Sequence, residues 1–300
     1  MIASMTIMTT LTQFALLIPL SLASSLGPTG DWSRDPAWFQ GKAEWALYDA
    51  QRTIYGQPRA YEATLFTNTQ LMDPKTSTKC NQNVPGAIEV FKLNLSEQIP
   101  TENYVYRFLT TSFVHRTDLS LYKLTTSTQE DCGSTFGQFL DEGNGVTFQQ
   151  YNYFPGPGQA NGNLGKSTEL TFFNALPLTL RNFPFPTNQT TPTTIKVDLI
   201  ADQTTTKRPN NKPRKATITY EGREELTVPI GTIWTHHLSL TMEGDDARQA
   251  THFWMADEAR HVMVKYTNPN GTSYRLKRLA WWAYWSQPQP PKSDDLLGRR

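Results

Sequence analysis

The sequence is short of charge. Charged residues make up only 18% of its 300 residues, and the formal net charge is +1. A near-neutral chain has no overall field to steer it toward nucleic acid or a charged membrane surface, and the basic loop 207–215 lacks interleaved aromatic residues. We therefore predict no nucleic-acid partner. Few charges combined with abundant Thr, Asn, Gln and aromatic residues are typical of exported β proteins.

Cysteine is scarce too, and metal-binding motifs are absent. No CxxC, HExxH or Cys/His cluster of zinc spacing occurs, so no cofactor is predicted. The two cysteines, Cys80 and Cys132, fit either one disulfide or two buried thiols. A bridge would close a loop of about fifty residues and contribute roughly 4 kcal/mol. A third interpretation is a thiolate nucleophile at Cys132 with His115 as its base, but Glu130 and Asp131 beside the thiol would oppose its ionisation.

The first thirty residues carry no charged side chain at all. Residues 14–26 are an apolar stretch of export-signal length, and they end in small residues that suit cleavage after about Ala23 to Ser25. Pro19 and the short length argue against a membrane span. We predict that residues 1–25 are an export signal, that the mature chain has no transmembrane span, and that the protein is periplasmic or extracellular. The alternative is a disordered or docked N terminus.

What the chain does contain is short runs of β-branched and aromatic residues separated by turn residues, the pattern of an antiparallel meander. This pattern predicts a single β-rich domain over residues 31–285, followed by a disordered tail over 286–300. In the clearest hairpin, residues 268–271 read Asn-Pro-Asn-Gly, which is strong turn chemistry. Strand alternation puts Val262, Val264 and Tyr266 on the buried face, and puts Met263 and Lys265 on the other face.

One segment has helical spacing. Leu170, Phe173, Leu176 and Leu180 recur at three to four residues, and Ser167-Thr168 before them can cap a helix. Pro177 would end or kink that helix. We predict one principal helix near residues 168–181 in an otherwise mainly β chain.

Four motifs resemble a known family. They are Tyr61 to Leu65 (YEATL), Ala175 to Arg181 (ALPLTLR), Gly222 to Thr232 and Val262 to Leu276. Their order along residues 42–279 is similar to that of the exported bacterial family catalogued as domain of unknown function 3108. The resemblance implies a curved antiparallel sheet, a half-barrel or open barrel similar to periplasmic lipoprotein carriers, wrapped part-way round a helix. It implies no catalytic residues, and residues 73–103 and 141–166 are insertions relative to it.

Histidines and tryptophans suggest a site in the meander. If the turn between the two strands centres near Asp246, then His236, His252, Trp234 and Trp254 share one face of the sheet. Two imidazoles on one cavity wall can begin a metal or general-base site, although catalytic zinc needs three protein ligands. The alternative is that these histidines are hydrogen-bonded groups packed among tryptophans.

Other aromatic residues spread along the strands, among them Trp45 and Tyr61, are candidates to line a cavity for a lipid, a glycan or another apolar ligand. They are equally suited to a plain aromatic core. The run from Ala280 to Trp285 has four aromatics in six residues and predicts an aromatic platform near the C terminus.

Two functions follow from the sequence. The first is an exported, non-catalytic binding or envelope protein that holds an apolar or glycan-like ligand in an aromatic-lined half-barrel. The ligand-binding candidates are His236, His252, Trp234, Trp254, Trp45 and Tyr61. The alternative is an exported hydrolase, with or without metal, that uses His236, His252 and a carboxylate such as Glu243 or Asp257.

Overall fold

The computed structural model describes residues 30–80, 84–156, 158–186, 193–205 and 210–292. The chain is mostly β, with 58% strand and 8% helix. The strands are β1 (Ala43–Ile54), β2 (Gln57–Asp73), β3 (Thr78–Lys79), β4 (Ile88–Pro100), β5 (Val105–His115), β6 (Leu121–Glu130), β7 (Gly133–Asp141), β8 (Val146–Asn152), β9 (Gln159–Asn163), β10 (Leu170–Phe172), β11 (Thr194–Ile200), β12 (Arg214–Val228), β13 (Gly231–Met242), β14 (Thr251–Ala256), β15 (Met263–Thr267) and β16 (Ser273–Trp282). The predicted export signal, residues 1–25, lies outside the described residues.

All of these strands belong to one sheet. Its order is β10-β11-β12-β13-β14-β15-β16-β1-β2-β4-β5-β6-β7-β8-β9, with the short β3 paired to β2. Every pairing is antiparallel except that of β10 with β11. The sheet is curved and open, so β9 and β10 are its two edges. The prediction of a mainly β, curved antiparallel sheet is confirmed.

The inner face of the sheet carries the helical segment, and we call the opposite face the outer face. The segment consists of α1 (Leu176–Thr179) between two 3₁₀ turns, Phe173–Ala175 and Leu180–Asn182. Leu176, Leu178 and Leu180 are fully buried in the main core. Three leucines at a spacing of two therefore fill the concave side of the sheet, where each would contribute about 1.5–3 kcal/mol by its burial.

The prediction of a helix over residues 168–181 places its first residue too early in the chain. Leu170–Phe172 forms β10, which pairs in parallel with Asp198–Ile200, so its backbone groups are committed to the sheet edge. Helical structure begins only at Phe173. Pro177 lies in the first turn of α1 rather than at its end, because a helix tolerates a residue without an N–H there.

A buried charge network fixes the helical segment to the sheet. The carboxylate of Glu44, on β1, accepts hydrogen bonds from the guanidinium groups of both Arg181 and Arg260. The side chains of Glu44 and Arg181 are only 2% and 1% exposed. Burial would raise the pKa of Glu44, but the two arginines outweigh it and the pKa is lowered. Arg181 follows α1 and Arg260 precedes β15, so a single carboxylate joins three elements.

The predicted hairpin around residues 268–271 is confirmed, since it joins β15 to β16. Val264 and Tyr266 are buried and Lys265 lies on the outer face against Trp254, as predicted. Met263, however, is 3% exposed and belongs to the core. The register slips here, because Trp254 pairs with Lys265 and Met255 pairs with Met263. The extra residue, Val264, is a β-bulge that turns Met263 inward.

Of the predictions for the two cysteines, the disulfide and the His115–Cys132 pair are wrong. Cys80 and Cys132 are free thiols, and Cys132 is exposed, so no bridge links them. The proposed pair of His115 and Cys132 is also wrong: His115 ends β5 beside the start of β6, whereas Cys132 follows the end of β6. The ten residues of β6 separate them by about 33 Å.

The C-terminal segment begins on the outer face. Tyr284 stacks on Phe66, with ring centroids 4.0 Å apart, and Trp285 is exposed. The guanidinium of Arg278 donates a hydrogen bond of 2.6 Å to the carbonyl oxygen of Pro291. Residues 286–292 therefore contact β16, while 293–300 lie outside the described residues. In the part of the chain that the structure covers, no helix has the length and apolar character to cross a bilayer.

Candidate functional site

A cleft of about 700 Å³ opens at one end of strands β5 to β8, and we call it the end cleft. Three segments build it: the β5–β6 turn, the β7–β8 turn, and the chain from Gly165 into α1. Its lining residues are Val114, His115, Thr117, Asp118, Leu119, Ser120, Leu121, Asp141, Gly145, Val146, Gly165, Lys166, Ser167, Thr168, Leu170, Thr171, Phe172, Ala175 and Thr179.

The turns that form the walls are fixed by their own hydrogen bonds. The Asp118 carboxylate accepts from the backbone N–H and the hydroxyl of Ser120 at 2.9 and 2.7 Å. The carbonyl oxygen of Gly143, in the β7–β8 turn, accepts a hydrogen bond of 3.0 Å from Lys166 Nζ. Gly145 adopts a positive φ of 155°, and a Cβ there would come within 3.0 Å of the Gly165 backbone. The walls are therefore preorganised by local chemistry.

The floor of the end cleft is apolar and its rim is polar. The floor comprises buried side chains from β5, β6, β8, β10 and the helical segment, namely Val114, Leu121, Val146, Phe172 and Ala175. Asp118, Asp141 and Lys166 lie at the rim. This arrangement suits a ligand with an apolar body and a polar end.

One polar atom of the lining lacks a partner. Thr179 is 3% exposed, and its hydroxyl oxygen makes no hydrogen bond with any residue that the structure describes. An unpaired buried hydroxyl costs about 1–3 kcal/mol. Thr179 ends α1, so its position is set by the packed helical segment rather than by a mobile loop. This oxygen has almost no accessible surface, so a ligand in the end cleft does not reach it in this conformation.

The predicted pair of His236 and His252 does not share a face. Ser239 pairs with His252 and His237 pairs with Trp254, so His236 points inward while His252 and Trp254 point outward. The prediction that they form one cavity wall is therefore wrong. The true register differs by one residue from the one expected for a turn centred near Asp246, and one residue is enough to exchange the faces.

On the inner face, His236 lies in a well-satisfied polar cluster. Its Nε2 is 3.0 Å from Asp257 Oδ1, and its Nδ1 is 3.3 Å from the Tyr220 hydroxyl. Phe185 stacks on the imidazole with ring centroids 4.2 Å apart. Burial lowers the pKa of His236 despite the nearby Asp257 carboxylate. Both ring nitrogens are engaged, so a metal ion or a substrate could reach the lone pair of this imidazole only by displacing the Tyr220 hydroxyl.

Trp234 and Asp257 both contact Arg223 beside this cluster. The guanidinium carbon of Arg223 lies 4.1 Å from the ring centroid of Trp234, and its Nε donates a hydrogen bond of 2.5 Å to Asp257. Glu243, the other carboxylate considered for a hydrolase, lies beyond the far end of β13 and donates its backbone N–H to Lys215. Asp257 is therefore the carboxylate that the fold brings to His236.

The other aromatic candidates are also divided between the faces. Trp45 lies on the outer face, where it packs edge-on against Trp282 at 5.3 Å. Tyr61 lies on the inner face and donates its hydroxyl to Glu97, which also accepts from Tyr274 at 2.8 Å. The six predicted residues therefore cannot line one cavity, and ligand binding by any one of them stays a prediction.

The end cleft could not be predicted from the sequence because its walls come from distant parts of the chain. Residues 155–165 carry four glycines and suggested only an insertion with a surface loop. That loop returns as β9 and delivers Gly165 and Lys166 to the cleft. Its three lining segments, 114–121, 141–146 and 165–179, are separated by 19 and 18 residues, so no local spacing marks them. The one available signal was the helical segment, whose inward face supplies Ala175 and Thr179.

No family model and no curated protein matches the chain. Among solved structures, the chain is similar to one described as that of a DUF1089 family protein from Pseudomonas aeruginosa. The match has 13% sequence identity and a TM-score of 0.32, and it covers 59% of this chain and 83% of that one. A likeness this distant carries no argument. The resemblance to the domain of unknown function 3108 family therefore stays a prediction.

Proposed function

We propose that this protein is an exported, non-catalytic binding protein that holds an apolar or glycan-like ligand in the end cleft. The observation that carries the proposal is a cleft whose floor is apolar and whose rim is polar and charged. The polar rim adds groups that can contact a hydroxyl-bearing head.

The size of the end cleft supports this proposal. Its volume of about 700 Å³ lies within the range of roughly 300–1,000 Å³ of small-molecule sites. The rim carries the carboxylates of Asp118 and Asp141 and the ammonium of Lys166, of which Lys166 already donates to a backbone carbonyl. A strongly anionic head would meet two carboxylates, so a neutral polar head is the better match.

Export is part of the proposal and depends on the sequence of the first thirty residues. The apolar stretch over residues 14–26 and the small residues at 23–25 support a cleaved signal. An N terminus near Ser24 to Leu26 on the protein recovered outside the cytosol would support this step. An intact Met1 on cytosolic protein would contradict it.

Binding can be tested with the neutral apolar fluorophore N-phenyl-1-naphthylamine. We expect saturable fluorescence enhancement with the wild-type chain. Thr171 is half-exposed and lines the cleft, so Thr171→Trp should fill the space and weaken probe binding at least tenfold. Thr232→Trp, at an exposed position on β13, is the matched control and should bind like the wild type. Equal binding by both variants would contradict the assignment of the site.

One observation favours the alternative function, an exported hydrolase. His236 and Asp257 form a dyad at 3.0 Å, the spacing at which a carboxylate orients a general base. His252 is excluded from this version because it lies on the other face. Hydrolysis of p-nitrophenyl acetate that is lost in His236→Gln and in Asp257→Asn would support the enzyme. If both variants hydrolysed the ester at the wild-type rate, the hydrolase would be contradicted and the binding function would remain the proposal.

A further inference from the structure

The outer face of the sheet brings together two imidazoles that the functions above do not use. His237 on β13 and His252 on β14 lie side by side across the strand pair, with Nε2 of His237 3.0 Å from Nδ1 of His252. Both residues are half-buried. The contact is a hydrogen bond, so one of the two nitrogens carries a proton, and a bound ion would take the place of that proton.

A carboxylate fixes the orientation of one imidazole. Glu224 Oε1 lies 3.5 Å from Nδ1 of His237 and accepts a hydrogen bond of 2.6 Å from Trp254 Nε1. His237 also stacks on the indole of Trp254, with ring centroids 4.4 Å apart and planes at 9°. A carboxylate beside Nδ1 favours the tautomer with the proton there, which leaves the lone pair on Nε2, the nitrogen that faces His252.

We propose that His237 and His252 form a two-histidine site for a transition-metal dication of the Cu²⁺ or Ni²⁺ type. Two nitrogens at about 2.0–2.1 Å from one ion are about 2.9 Å apart at a right angle and about 3.3 Å apart at a tetrahedral angle. The observed 3.0 Å fits adjacent positions of a tetragonal ion, the geometry that Cu²⁺ and Ni²⁺ prefer. A small rotation of the rings would point both lone pairs at the ion.

The surrounding charges favour a dication. Glu221 and Glu224 lie close enough to His237 to act on it electrostatically, and Lys265, which opposes them, stacks on Trp254 at 4.3 Å. Within the described ranges, no group of three or more His, Cys, Asp or Glu side chains is placed to hold an ion. Water would therefore complete the coordination shell.

The test is a Ni²⁺ titration of the full, untagged chain, because Ni²⁺ is not reduced by the free thiols. Isothermal calorimetry would report the stoichiometry, and quenching of Trp254 beside His237 would report the location. We expect one Ni²⁺ per chain, with affinity at least tenfold weaker in His237→Gln and in His252→Gln. His115→Gln is the matched control and should bind as the wild type does.

A further readout keeps the result decisive. Ni²⁺ should raise the melting temperature of the wild type but not that of His252→Gln. A wild-type chain that binds no Ni²⁺ would overturn the proposal, as would His252→Gln binding Ni²⁺ with wild-type affinity. The site lies on the outer face, away from the end cleft, so failure here leaves the proposed binding function standing.

Discussion

Replacement of Glu44 by Gln is the sharpest test of how the fold is fixed. Glu44→Gln preserves the shape of the side chain but removes a negative charge that both Arg181 and Arg260 contact through hydrogen bonds. Arg181 is fully buried, and its Nε already lacks a hydrogen-bond partner among the described residues. A guanidinium left unpaired in such a place cannot recover its hydration.

The expected magnitude follows from the cost of breaking a buried ion pair by removing one partner. That cost is about 3–5 kcal/mol. Since domains are stable by only about 5–15 kcal/mol, the variant should lose a large part of its stability. Urea unfolding followed by tryptophan fluorescence should show a markedly lower midpoint with an unchanged slope.

The matched control is Glu102→Gln. Glu102 also pairs with an arginine, Arg59, at 2.7 and 2.8 Å, but its side chain is 68% exposed. Solvent screens this pair, so the control should unfold close to the wild-type midpoint. A Glu44→Gln midpoint equal to that of the control would refute the reasoning.

The same network predicts an acid dependence. The two arginines keep the pKa of Glu44 below its ordinary value of 4.5 despite burial. A lowered folded-state pKa stabilises the fold above pH 4.5, and this stabilisation is lost as the pH falls through the folded pKa. Glu44→Gln should therefore lose less stability than the wild type on acidification below pH 4.5.

Three further predictions concern the core and the cleft. Val264→Asp should cost several kcal/mol, because it places an unpaired charge at a fully buried position, whereas Lys265→Ala should cost less than about 1 kcal/mol in thermal unfolding. Thr179→Val should leave the free energy of unfolding unchanged or raise it, because the hydroxyl that it removes has no hydrogen-bond partner among the described residues. A decrease in the free energy of unfolding of more than about 1 kcal/mol would show that this hydroxyl does make a hydrogen bond. Burial raises the pKa of Glu130 from 4.5 to about 7, so stability should fall as the pH rises through this range, and Glu130→Gln should abolish that fall.

The sequence predicted the architecture well because strand alternation and turn chemistry act over a few residues. Tyr274 and Leu276 are buried and Arg275 is exposed, as their alternation requires. The predictions that failed were those of which face a side chain occupies, because a shift of one residue in strand pairing moves it to the opposite face. The bulge at Val264 places Met263 on the inner face, and the one-residue difference in the β13–β14 turn places His252 on the outer face. Neither shift can be recognised from the amino-acid composition.

The candidate site was less predictable than the fold. Tyr61 and His236 do point inward, but each is held by local partners rather than facing an open cavity. The end cleft instead combines turns whose neighbourhood is set by the β5 to β8 pairing, together with a helical segment that crosses the inner face. Such long-range assembly depends on tertiary packing, which periodicity in the sequence does not report.

The central claim is that the end cleft binds one amphiphilic ligand. Native mass spectrometry of the full chain with n-dodecyl-β-D-maltoside, below its micelle concentration, tests this claim directly, because the probe joins an apolar chain to a neutral glycan head. We predict a one-to-one complex with the wild type and with Thr232→Trp, and loss of that complex with Thr171→Trp. Absence of any adduct on the wild type, or equal adducts on both variants, would contradict the claim.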